Sequence, residues 1–209
     1  MIAIIGAGGH AKCVYECLVM QGHRVFGFFD DDRSKTGMEL IDGVQVLGGP
    51  EEIYRQEAVS AVFVAIGDNS LRLIKYRKLF ADGLYSMPNA VHQRAYISEY
   101  AAVGKGNFMM GAALINPGSR IGNCCIINTS ATVGHDCVLE DGVQVGPGVN
   151  LAGGSKLKEG AFVGIGAKVA PEVTIGAWAV VGAGAVVLED VPAKAFVCGV
   201  PAKITDNKK

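Results

Sequence analysis

What the sequence has little of already narrows its function. Charged residues make up 19 % of the 209, against a usual share of ~25 %, and they balance to a net charge of -1. With no basic stripe, the electrostatic footprint of a nucleic-acid binder is missing, so small molecules are the expected partners. No apolar run approaches the ~18 residues that a membrane helix needs, which excludes membrane insertion by that route. The opening MIAIIGAGGH has no cationic leader and reaches glycine after five residues, so the expected location is cytoplasmic. The six cysteines (Cys13, Cys17, Cys124, Cys125, Cys137, Cys198) form no CxxC pair. They read as reduced, mostly buried thiols, with no disulfide and no metal site.

Glycine, by contrast, is abundant at 29 residues, about twice its usual ~7 % share, and points to many tight backbone corners. The corners fall into two patterns. Residues 1–88 read as a small Rossmann-like α/β domain: an apolar run over 1–5, the turn Gly6-Ala7-Gly8-Gly9-His10, then Val14, Cys17 and Leu18 at helical spacing. A second strand over 24–29 ends in Asp30-Asp31-Asp32. A third, over 59–66, ends in Gly67-Asp68-Asn69 and leads into an amphipathic segment through Phe80. Alternating strands and helices imply a parallel sheet whose ligands bind beyond the carboxyl ends of the strands, where Gly8, Asp30 and Gly67 lie. Gly6-x-Gly8-x-x-Ala11 with an acidic residue about twenty positions on also fits a dinucleotide fingerprint. Only three or four strands are expected, too few for two mononucleotide halves, and this favours a nucleotide-sugar over NAD.

Residues 89–209 follow a period of six. From Ile97 to Val187 every sixth residue is aliphatic, through sixteen hexads without an insertion. Four places after each stands a small or β-branched residue such as Ala113, Ser119, Cys125 or Ala131, with Asn107 the one awkward member. That period fits neither a helix nor an alternating strand; it is the mark of a hexapeptide β-helix, with three hexads to a triangular coil and residues eighteen apart stacked. By that rule His135 lies on the outer surface beside Pro117 and Gly153. Cys137 points into the core, which removes it as a nucleophile.

These hexads, with Ile127-Asn128-Thr129-Ser130-Ala131-Thr132-Val133-Gly134-His135-Asp136-Cys137 and Gly199-Val200-Pro201-Ala202-Lys203, resemble the left-handed β-helix acyltransferases. With Gly6-Ala7-Gly8-Gly9-His10 in front, the sequence is similar to the bacterial sialic-acid O-acetyltransferase and nucleotide 4-amino-sugar N-acetyltransferase group. That resemblance implies a homotrimer using acetyl-CoA, with His135 as catalytic base and Asp136 raising its basicity. It places the nucleotide-sugar against Gly8, Gly9, His10, Asp30, Asp31 and Gly67, and acetyl-CoA along Gln144, Gly153, Ile165 and Ala183. Where the group usually has a second histidine this chain has Gln144, which leaves proton transfer to His135.

The activity expected is acetyl transfer from acetyl-CoA to the amine of a nucleotide-linked 4-amino-4,6-dideoxy sugar, with UDP ahead of dTDP and GDP. A sugar hydroxyl as acceptor stays open, since a histidine base serves nitrogen and oxygen alike. So do an NAD-dependent oxidoreductase that uses the prism only as a trimerisation stalk, and a non-catalytic nucleotide-sugar binder.

Overall fold

The computed structural model describes residues 1–205, the side chain of Phe80 excepted. The chain divides into two compact units, Met1–Gln93 and Arg94–Lys209.

In the first unit β1 (Ile2–Ile5), β2 (Val25–Phe29), β3 (Glu39–Ile41), β4 (Val44–Gly48) and β5 (Ala61–Val64) lie in the order β3-β4-β2-β1-β5. β4, β2, β1 and β5 are parallel, and β3 runs antiparallel to β4. Five strands replace the three or four expected. The addition is a hairpin turned by Asp42-Gly43, whose φ of 52° and 73° give the twist that a two-residue turn between strands requires. Central β1 is buried along its whole length, as a parallel strand covered on both faces should be. Helix α1 (Gly9–Met20) buries the stripe Ala11, Val14, Cys17 and Leu18, while α2 (Asn69–Asp82) follows β5. The chain leaves β1 through α1 towards β2 on one side, and β5 pairs with β1 on the other. The crevice beyond the carboxyl ends of β1 and β5 is therefore the switch point of the sheet.

The second unit is a parallel β-helix. Sixteen two-residue strands recur every six residues from Tyr96–Ile97 to Val186–Val187. Each pairs with the strand eighteen residues away, as in Leu114↔Thr132 and Arg120↔Val138. The first wall starts at Tyr96–Ile97, the second at Ala102–Val103 and the third at Phe108–Met109. From Met109 to Val187 every hexad aliphatic is at most 4 % exposed. Asn107 is buried without cost to the fold, because its side chain accepts from Cys125 N at 2.7 Å and donates to Gly122 O at 3.0 Å. Ser119 and Ser155 likewise spend their hydroxyls on backbone carbonyls, 2.6 Å from Gly134 O and 2.7 Å from Ala152 O.

Fourteen corners at six-residue spacing, Gly106 to Gly184, take φ between 55° and 75°. Six of them are not glycine, Asp136 among them. The uninterrupted hexads end at Val187: Val180 pairs with Phe196 and Ile175 bridges to Val191, so the last coil is two residues short of eighteen. Among the described residues no helix is long and apolar enough to cross a membrane.

Candidate active site

Two groups of residues gather, one in each unit. In the first unit, the chain leaves β1 through Gly6, where φ is 104° and a Cβ would stand 2.6 Å from Ala65 O, so only glycine passes. Gly8, the N-cap of α1, differs. Its backbone is extended, no side chain caps the helix, and no atom lies within 4 Å of where its Cβ would be. Gly9 and Gly67 are open in the same way. These three exposed glycines border the crevice at the positive end of α1, where a helix start favours an anion.

Asp30 and Asp31 are at the crevice, but both carboxylates already hold protein groups. Asp30 Oδ2 accepts from Ala7 N at 2.6 Å, and its Oδ1 accepts from Asp32 N at 2.9 Å and Lys35 Nζ at 3.2 Å. Burial pushes the Asp30 carboxyl up, yet these three donors outweigh it and hold the group below the usual carboxylate range. Asp31 accepts from Lys75 Nζ at 2.6 Å, a bond that reaches from the end of β2 to α2. Sequence reasoning singled out the aspartates and missed Lys35 and Lys75, which carry no motif.

His10, in the first turn of α1, has its Nε2 withdrawn from solvent. Burial, followed by the charge of Arg72, pushes the ring down to about 4, so it is neutral at physiological pH. The unfolded chain takes up this proton near 6.5 and the folded chain refuses it. His10 therefore costs stability as pH falls from about 6.5 towards 4, by on the order of 3 kcal/mol at full extent. His10→Gln is expected to flatten Tm against pH in that window, measured beside the wild type by scanning calorimetry. Parallel curves would return His10 to an ordinary solvated histidine.

The second group sits on the edge of the prism that follows the first wall. His135 Nδ1 and Asp136 Oδ2 are 2.8 Å apart, and both side chains are about 70 % exposed, at 72 % and 70 %. The backbone confirms the stacking: Asp136 N donates to Pro117 O at 3.1 Å and Gly154 N to His135 O at 2.9 Å. The pair lies flat along the edge because its neighbours have no side chains. A Cβ on Gly153 would run into His135 Nε2, and one on Gly118 into Asp136 Oδ1. The Gly153 N–H donates to no group among the described residues. With Nδ1 turned to the carboxylate, the Nε2 lone pair is the one left for a proton, on the side of the ring that lies against Gly153.

Cys137 is fully buried, with Sγ 3.2 Å from Ala152 O, and burial raises its thiol, so it packs as expected and offers no thiolate. Ile165 and Ala183 stack on each other and are exposed, but on the edge that follows the third wall. Gln144 is half-buried on that third wall, paired with Ile126 and Phe162. Within one prism the edges are separated by a wall of six residues, up to ~20 Å. The structure thus unites His135, Asp136 and Gly153, and leaves Ile165 and Ala183 on another edge.

Comparison with known proteins agrees with both halves. Residues 1–79 match the family model of the PglD N-terminal domain, and residues 154–189 match the bacterial transferase hexapeptide model of six repeats. Perosamine N-acetyltransferase from Caulobacter crescentus, solved with CoA and GDP-perosamine, is 42 % identical with a TM-score of 0.91, covering 99 % of this chain and 97 % of that one. The acetyltransferase domain of PglB from Neisseria gonorrhoeae, solved with acetyl coenzyme A, is 32 % identical with a TM-score of 0.88 and covers 98 % of each chain. Uncharacterized protein L142 of Acanthamoeba polyphaga mimivirus is 32 % identical over 108 residues, 52 % of this chain but 21 % of that one. With 42 % identity over nearly the full length of both chains, this chain belongs to the hexapeptide-repeat sugar N-acetyltransferases that carry a PglD N-terminal domain.

Proposed function

We propose that this protein moves the acetyl group of acetyl-CoA onto the amine of a nucleoside-diphosphate-linked 4-amino-4,6-dideoxy sugar. The observation that carries the reading is the His135–Asp136 pair laid against Gly153 on an open edge. The neutral amine attacks the thioester carbonyl and forms the C–N bond. Gly153 N–H steadies the oxyanion, and His135 Nε2 takes the proton that attack makes acidic. Collapse breaks the C–S bond, and the imidazolium returns its proton to the departing thiolate. Asp136 holds the imidazole in the tautomer this requires.

In this reading Gly8, Gly9, His10 and Gly67 line the nucleotide crevice, while Asp30 and Asp31 shape it by holding Ala7 and Lys75. Gln144, Ile165 and Ala183 lie along acetyl-CoA. Because they belong to a different wall and edge from His135, a complete site needs one edge from each of two copies, which supports a homotrimer. Light scattering that found a fully active monomer would remove that arrangement. GDP moves ahead of UDP as the nucleotide, since the 42 % identical perosamine enzyme was solved with GDP-perosamine. A cytoplasmic location fits a user of acetyl-CoA and nucleotide-sugars. The NAD alternative finds little support in a unit with one mononucleotide-sized half.

The test is release of free thiol from acetyl-CoA against a panel of GDP-, UDP- and dTDP-linked 4-amino and hydroxy sugars. Turnover confined to amino sugars, with GDP-linked forms fastest, is expected. Turnover on hydroxy sugars alone would make the protein an O-acetyltransferase, and no release with any acceptor would end the catalytic reading.

A further inference from the structure

Among the described residues Arg72 is the largest fully buried side chain, 1 % exposed. It falls on the apolar stripe of α2 with Leu73, Tyr76 and Leu79, where a leucine or methionine would pack at no electrostatic cost. A guanidinium in such a place is expensive unless its N–H groups are used, and a buried charge is in itself weak evidence of added stability. A role beyond stability is therefore the question that its position raises.

Its bonds answer in one direction. One guanidinium nitrogen, Nη1, donates to Ile66 O and to Gly67 O, each at 3.1 Å, and Nη2 donates to Asn69 Oδ1 at 2.9 Å. Ile66 and Gly67 form the loop that leaves β5 at the switch point, and Gly67 is exposed there with open space where a Cβ would be. The same guanidinium is close enough to His10, in the first turn of α1, to disfavour its protonation. One planar fork thus ties the β5 loop to the start of α2 and sets its charge behind both lips of the crevice.

We propose that Arg72 is a positioning residue for the nucleotide: it does not touch the ligand, but it fixes the Ile66–Gly67 loop in the shape that receives the diphosphate and backs that site with a buried positive charge. This rests on the reading that the crevice holds a nucleoside diphosphate. A lysine cannot replace it, because an ammonium lacks the rigid fork that reaches two carbonyls and an amide oxygen at once.

The test compares Arg72→Met, Arg72→Lys and wild type for GDP and UDP affinity by calorimetry, for the KM of the nucleotide-sugar and of acetyl-CoA, for kcat and for Tm. Arg72→Met is expected to weaken GDP and raise the nucleotide-sugar KM by about tenfold or more, while the acetyl-CoA KM and kcat stay within about twofold. Arg72→Lys keeps the charge and should fold even if Arg72→Met does not; it is expected to weaken GDP by about threefold or more. A folded Arg72→Lys with unchanged GDP affinity overturns the proposal, as does an Arg72→Met that loses Tm alone. Gly8→Val separates the two levels. If it too leaves GDP bound, the nucleotide lies elsewhere and the underlying reading fails; if it abolishes GDP binding while the Arg72 variants keep it, only the role of Arg72 falls.

Discussion

His135→Ala is expected to lower kcat by about 10²- to 10⁴-fold, with both KM values and the assembly little changed, because that is the span that general base catalysis supplies. The ring is 72 % exposed, so a stability effect is not expected to imitate the catalytic one. Asp136→Asn keeps the shape of the corner and removes only the negative charge beside the imidazole. It should cost less, and in the double variant it should add little, as expected of residues that act as a unit. Gly153→Ala tests the same geometry from the other side: its φ lies outside the left-handed region, so the backbone accepts alanine, but the new Cβ meets Nε2 and Cε1 of His135. A fall in kcat with Tm intact is the expected result. Gln144→His should leave the rate dependent on His135. Retention of more than about a third of wild-type kcat in His135→Ala would place the base in the substrate or in solvent.

Gly8→Val is expected to weaken the nucleotide-sugar by about a hundredfold or more and to leave acetyl-CoA nearly untouched, since a diphosphate at a helix start needs the bare backbone that a side chain would cover. The variant is informative because Gly8 has an extended backbone and no protein neighbour within 4 Å of a Cβ, so valine enters the crevice without disturbing the fold. Gly6, two residues earlier, is the contrast. There a Cβ strikes Ala65 O and φ is positive, so Gly6→Ala should lower stability rather than affinity alone. Calorimetric titration with the nucleotide and with CoA distinguishes the outcomes, and equal loss of both ligands by a folded Gly8→Val would move the nucleotide elsewhere.

The prism was legible because one physical rule repeats in it. An aliphatic residue at Ile115, Val133 or Leu151 has the same job in successive coils, and a period of six reports that job directly. The stacking of Gly153 beside His135 followed from counting, whereas the corner at Asp136, without a glycine to mark it, did not. The shortened last coil did not, since nothing in the hexads before Val187 announces it. In the first unit the strand and helix pattern gave β1, β2 and β5, while the hairpin of β3 and β4 was overlooked although Asp42-Gly43 between apolar residues marks it. Two features were beyond the reach of motif reading. Asp30 was visible as an acid at the right distance from the glycine turn, but only coordinates show its oxygens taken up by Ala7, Asp32 and Lys35. Arg72 belongs to no motif, and the one hint in the sequence is its place on the stripe of Leu73, Tyr76 and Leu79.

The eighteen-residue register also limits how such a chain can vary in length. His135 and Gly153 are a full coil apart in sequence and meet only because the walls return to phase after eighteen residues. A single residue inserted into a wall between them would turn the imidazole away from the amide and reverse inside and outside for the hexads that follow. Growth or loss between these two positions is confined to bulges at the corners. Elsewhere a change of length must keep inside and outside in phase, as the last coil does by dropping two residues from its eighteen, so a chain of this kind varies only in steps that preserve the alternation.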